Sequence, residues 1–390
     1  MSSFIRARRE NKLKKRKRWK FIIPAALILF SVLLNILARA SKGFSEFYVN
    51  HIFPLWVETY GRVTGLFPFS VGEWMLYLAV CLVAGVVLFG LITLIFRKKL
   101  SVRWKRGYGG YAMFLYWVFG IVCVIMTLNC FLLYQAPTIL ERFSIGGASG
   151  REYGTEELAI LRDYVVEQAN ELAVCFERDE KGYILYDMDM ESEAIARMKE
   201  LEEIIPNLKG YYPRPKKLAW SGFYSQQYIM GYYFPFSMEA NYNRQMYLTN
   251  MPVTMCHELS HLKGFILEDE ANFIGYLASI SSEDILFRYS ALLSVIGYLD
   301  RDFARAVGRD SEEYQSHIPI SELVASDKLF LTREAWQQVE KNAILDTKTV
   351  SQAADTFLNT TLTLNGVSDG TISYSRVVDL LLWYYDGILY

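Results

Sequence analysis

The sequence is short of most features that announce a function. It has five cysteines in 390 residues, with no CxxC pair and no regular spacing, which excludes a disulfide scaffold and a cysteine-rich zinc module. It has no GxGxxG, no phosphate-binding P-loop, no GxSxG and no kinase signature, so dinucleotide, nucleoside triphosphate and serine-hydrolase chemistry have no anchor. Only four residues are histidine. Charge is scarce at 21%, whereas 52% of the residues are hydrophobic. So apolar a chain is neither disordered nor an ordinary soluble enzyme.

The net charge of −1 conceals a division. Residues 1–135 carry 19 Lys/Arg against 4 Asp/Glu, and residues 136–390 carry 22 against 38. An acidic remainder of that size would be repelled by phosphates, which argues against a nucleic-acid partner. The basic third contains the long apolar runs. Phe21–Ala38, Trp74–Phe96 and Tyr111–Tyr134 each approach the ~20 residues needed to cross a bilayer. The sequence therefore predicts a basic tail (1–20), a membrane domain (21–135) with three helical spans, and an extramembrane domain (136–390). Residues 6–20 and the loop 97–106 are rich in Lys/Arg, and the loop 41–73 holds only Lys42 and Arg62. Basic loops stay in the cytoplasm, so the N-terminus lies inside and residues beyond about 135 lie outside. Ala38-Arg39-Ala40 also has the form of a signal-peptidase site, although the apolar run before it is long for a signal peptide. Of the cysteines, only Cys175 and Cys256 would face the outer compartment.

The outer domain reads as mainly helical with one strand-rich patch. Helical periodicity covers 154–178, 192–205, 252–264, 268–281, 283–299, 332–343, 350–360 and 374–386. Residues 207–235 are rich in Tyr, Gly and Pro and read as loop and short strands. The best strand is expected around 243–249. VVDLLLWYY (377–385) is too short to span and is expected as a buried terminal helix.

The chemistry concentrates at 257–272. His257-Glu258-Leu259-Ser260-His261 is an HExxH motif. On a helix, residues i and i+4 share a face, so His257 and His261 can bind one Zn²⁺. Glu258 can then act as a general base toward a water at that ion. Pro252 and Gly264 mark the helix start and stop. A catalytic zinc needs a third protein ligand. Position 267, where a third histidine would fall, is Leu. Glu268-Asp269-Glu270-Ala271-Asn272 instead offers Glu268 as ligand, with Glu270 as the alternative. Asn272, one turn after Glu268, is placed to hydrogen-bond a ligating histidine. Ala271 would allow close helix packing. Cys256 points to another face and reads as core. Oxyanion donors are sought at Tyr289, Tyr298, Arg288 and His317.

HELSH followed by EDEAN resembles the gluzincin zinc peptidases. Three N-terminal spans with MEANYN (238–243), MPVTMCHELSHLKGF (251–265), EDEANF (268–273), RYSALL (288–293) and SYSRVVDLLLWYY (373–385) resemble more closely a bacterial membrane-anchored family, domain-of-unknown-function family 3810. The resemblance covers nearly the whole chain and implies a zincin-like domain carrying zinc and held in the cytoplasmic membrane. It departs from the family at Leu128–Tyr134, where a Trp-Gly-x-Asn-Tyr-like stretch is usual. In gluzincins the strand before the active helix lies along the substrate, which puts Glu239, Asn241 and Asn243 forward as cleft residues. The expected function is a zinc metallopeptidase acting on peptides or proteins of the cell envelope. The alternatives are a non-catalytic zinc-stabilised sensor or binding module and a hydrolase of other envelope polymers.

Overall fold

A computed structural model describes residues 2–96, 98–142, 151–365 and 376–390, with side chains from Arg18 onward. The basic block up to Lys17 and the first residues of SYSRVVDLLLWYY fall outside the described side chains. The chain is mostly helical with one small sheet and forms two compact units, Met1–Tyr48 with Val71–Ala136, and Val49–Ser70 with Pro137–Tyr390.

The first unit holds three helices long and apolar enough to cross a membrane, Arg18–Ala40, Val71–Ile95 and Val102–Gln135. The third starts well before residue 111, where its apolar run begins. Ser101 caps it by accepting from the Trp104 N–H, and the basic residues after Ser101 enter its first turns. The first and third helices pass closely at Gly120. A Cβ there would lie 3.3 Å from the Pro24 backbone. Asn35 Nδ2 donates to Thr127 Oγ1 across the same pair at 3.0 Å.

In the second unit the long helix Ile285–Val307 packs against Thr155–Ala173 and Glu268–Ile280. Fully buried Phe273, Tyr276, Phe287, Ile296 and Phe303 form its centre. The HExxH helix, Met251–His261, lies between Glu268–Ile280, Met190–Glu200 and the sheet. The terminal helix Val377–Tyr385 is buried as expected, and the Tyr385 and Tyr276 hydroxyls meet at 2.7 Å. All five cysteines are free. Cys256 is buried and Cys175 exposed, so no disulfide joins them.

Two expectations are corrected. The strand falls at Glu239–Tyr242 rather than 243–249, because Arg244–Asn250 turns into the HExxH helix. Residues 49–70, assigned by sequence to the membrane domain, fold with the second unit: Val49, Phe53 and Val57 are buried.

The sheet order is β1 (Lys216–Lys217), β3 (Glu239–Tyr242), β2 (Gly231–Phe234), with β3 parallel to β1 and antiparallel to β2. An ion pair is sealed at its edge. Lys216 donates to the Glu239 carboxylate and, at 2.8 Å, to the Thr64 carbonyl, and both charged side chains are buried. Removing one partner of a buried pair strands the other charge. Lys216→Met is therefore expected to cost about 3–5 kcal/mol in denaturant unfolding. Lys216→Met/Glu239→Gln should recover much of that loss.

Candidate metal centre

The HExxH helix begins with Pro252 in its first turn and ends where Gly264 takes φ +90°. A side chain at Gly264 would be strained by that φ, and its Cβ would lie 2.7 Å from Val49 Cγ1. The chain reverses within a few residues. Gly264 N–H donates to the His261 carbonyl at 3.1 Å, and helix Glu268–Ile280 then starts with three acidic residues. Six residues between His261 and Glu268 are therefore enough.

This turn brings three donors together. His257 and His261 Nε2 are 3.1 Å apart, and His257 Nε2 is 3.2 Å from Glu268 Oε2. One ligand atom from each of the three lies within 4.8 Å of the others. Each imidazole has its other nitrogen engaged. His257 Nδ1 meets Asn272 Oδ1 at 2.9 Å, and His261 Nδ1 meets the Phe265 carbonyl at 2.7 Å. Both acceptors require an Nδ1 proton, which leaves both Nε2 lone pairs directed at one point. Two such lone pairs repel unless a cation lies between them or His257 Nε2 takes a proton, which its contact with Glu268 at 3.2 Å would hold. A tetrahedral site with bonds of 2.0–2.1 Å has edges of about 3.3 Å. The two separations from His257 match that within a few tenths of an ångström and the third lies within 4.8 Å, so the donor set suits a cation such as zinc. Replacing the outer partner, Asn272→Ala, is expected to weaken zinc binding about 10–100-fold, read by competition with a chromophoric chelator.

Without a cation the electrostatics are unfavourable. Burial, with help from neighbouring His257, pulls His261 down to about 4. Burial also depresses His257, but the hydrogen bond and charge of Glu268 outweigh it and hold His257 above its ordinary value. Burial first, then the charge of Glu268, pushes Glu258 up to about 8. Glu258 Oε1 is 4.0 Å from His257 Nε2, and buried Oε2 has no hydrogen-bond partner. Glu258 thus stands beside the donors without joining them.

Strand β2 runs over Glu258. A Cβ at Gly231 would lie 2.5 Å from Glu258 Oε1, so any side chain there would have to displace the Glu258 carboxylate. The Tyr233 N–H donates to the Glu258 carboxylate. In an antiparallel ladder alternate residues face the partner strand. Asn243 N–H donates to the Met230 carbonyl, so Gly231 and Tyr233 turn their backbone groups away from β3. Helix Glu268–Ile280 makes its close approach at Gly275, where a Cβ would sit 3.0 Å from the Val253 carbonyl. Neither Gly231 nor Gly275 stood out in the sequence, although the spacing of Glu268, Asn272 and Gly275 marks one helical face. Ala271, expected to permit the approach, is fully buried.

Other sequence candidates lie elsewhere. Glu270 Oε1 accepts from the Ile139 N–H at 2.6 Å, and burial lifts its carboxyl to about 7. It is absent from the donor group. Glu239, Asn241 and Asn243 are buried rather than set along a cleft. Glu239 pairs with Lys216, Asn241 Nδ2 donates to the Tyr232 carbonyl, and Asn243 Nδ2 donates to Ser225 Oγ. The reason is topological: β3 has strands on both edges, and β2 holds the outer position. Tyr289 donates to Asp327 at 2.7 Å inside the core. His317 pairs with Asp163 at 2.7 Å in a separate cleft of about 630 Å³ with Arg162 and Asp300. Among the tyrosines considered, Tyr298 lies in the field of Glu268, whose charge adds to burial in raising its phenol.

The chain belongs to the family described as protein of unknown function DUF3810, whose sequence profile matches residues 48–382. No curated protein and no solved structure matches it.

Proposed function

We propose that this member of the family is a membrane-anchored zinc metallopeptidase with zinc held by His257, His261 and Glu268. The observation that carries the reading is the convergence of two Nε2 lone pairs and one carboxylate oxygen beside a buried glutamate that is not one of the donors. When bound, zinc supplies Lewis acidity that polarises a carbonyl and lowers the pKa of water toward ~7.

The rest of the chemistry falls to side chains and backbone. Asn272 and the Phe265 carbonyl fix the tautomer and tilt of the two imidazoles. Glu258 takes the proton of the attacking water and delivers it to the leaving amine. The outer edge of β2 offers backbone groups of Gly231 to an extended peptide, which would add as a further strand. The Lys/Arg bias supports a position of this unit outside a bacterial cytoplasmic membrane, and envelope peptides or proteins are the proposed substrates.

A structural zinc site closes its coordination with four protein ligands. Among the described residues this group has three, which favours catalysis over a zinc-stabilised sensor. The test is full-length protein in detergent, loaded with zinc and given a mixed peptide library. Cleavage seen by mass spectrometry, stopped by 1,10-phenanthroline and restored by zinc, is the expected result. Stoichiometric zinc with no cleaved peptide would replace the reading with the binding module.

A further inference from the structure

The segment between the first two candidate spans has two apolar faces. It is helical through Phe53–Gly65, apart from wide turns. Val49, Phe53, Val57, Gly61 and Thr64 form its inner face and are buried in the second unit. Its outer face carries Ile52, Leu55, Trp56, Val63, Leu66 and Phe67, all exposed, with Leu66 at 82%. A helix covering a soluble domain presents polar residues outward. Here the charges are drawn to one flank. Glu58 Oε1 accepts from the Tyr211 N–H at 2.7 Å and Glu58 Oε2 pairs with Arg62, whose guanidinium sits 4.2 Å from the centre of the Tyr211 ring. Thr59 returns its hydroxyl to the Leu55 carbonyl.

From this arrangement we infer that the outer face of residues 52–67 lies in the lipid surface, as an interfacial helix that seats the second unit on the bilayer. Chain connection selects the occupant. The helix Arg18–Ala40 ends before this segment, and Val71–Ile95 starts after it. Both ends of the segment therefore emerge at one face of the membrane. Leu66 is five residues from Val71, so it lies within about 17 Å of the start of that span even if the chain is fully extended. A face so tethered, apolar along its length and bearing Trp56 and Tyr60, has the composition of an interfacial helix. The inference is independent of the peptidase reading, since it concerns anchoring and holds whether or not the centre is catalytic.

The test uses the full chain, with native cysteines replaced, in vesicles of phosphatidylethanolamine and phosphatidylglycerol. Single nitroxides are placed by Leu55→Cys, Val63→Cys and Leu66→Cys, with Val174→Cys as an exposed control elsewhere on the unit. Power saturation should show oxygen accessibility several-fold above nickel-chelate accessibility at the first three positions and the reverse at the control. Nickel accessibility equal to the control would overturn the inference. Shielding from both reagents, or dipolar coupling between copies, would overturn it in favour of a protein partner. Should the cysteine-free chain fail to fold, wild-type protein in the same vesicles is photolabelled with a lipid-soluble diazirine. Label on the peptide spanning 52–67 at the level of the span peptides supports the inference, and its absence refutes it.

Discussion

Glu258→Gln is expected to lower peptide hydrolysis by about 10³-fold while the protein keeps one zinc per chain. Gln has nearly the shape of Glu, so the crowding by Gly231 is satisfied and the helix is not disturbed. The donor group does not include position 258, so the metal has no reason to leave. What Gln lacks is a basic oxygen for the proton of the attacking water. Stability gives an independent reading in chelated protein. Burial raises Glu258 from 4.5 to about 8, so the folded state holds this proton more tightly than the unfolded state. The corresponding stability is present below about 4.5 and is lost as pH rises toward about 8. In Glu258→Gln that decline should shrink to the part that Glu270, lifted by burial to about 7, contributes, which urea unfolding across this range would show. Gly231→Ala should reach a similar loss of hydrolysis by another route, since its methyl group displaces the carboxylate. Hydrolysis by Glu258→Gln within tenfold of wild type would remove Glu258 from the proposed chemistry.

The parts of the centre legible in the sequence are those set by helical spacing. His257 and His261 are one turn apart, and so are Glu268 and Asn272, so period alone places each pair on one face. The buried terminal helix was legible from composition: VVDLLLWYY is too short to span and apolar on nearly every face, as a core helix is. The parts that were not legible depend on contacts distant in sequence. Nothing local to Gly231 says that it lies against Glu258, and nothing local to Glu239 says that β3 acquires strands on both sides. The Phe265 carbonyl that orients His261 is a backbone group, invisible to any reading of side-chain types. Residues 49–70 misled because they sit between two apolar runs and are themselves apolar. Their inner face belongs to the second unit, which only the fold reveals.

His261→Ala is expected to weaken zinc binding on the order of 10³-fold, beyond the 10–100-fold that the loss of an outer hydrogen-bond partner costs. His261 is buried, and its two nitrogens serve different ends. Nε2 faces the other donors, and Nδ1 meets the carbonyl of the turn that delivers Glu268. Alanine thus removes a ligand and loosens the turn that positions another. Lower stability alone could release metal, so the comparison needs a variant that spares the turn. Glu268→Gln does so. Glu268 is partly exposed, and the exchange keeps its shape while removing the charge that sustains the metal site. Both variants should lose zinc in dialysis against a buffered chelator, and Glu268→Gln should keep the apo-protein melting temperature within a few degrees. A ligand that binds only the folded state raises stability by RT ln(1 + [L]/Kd). Added zinc should therefore raise the melting temperature of wild type and leave His261→Ala unmoved at the same free concentration. Stoichiometric zinc retained by both variants would mean that the ion sits elsewhere, and the three convergent donors would need another explanation.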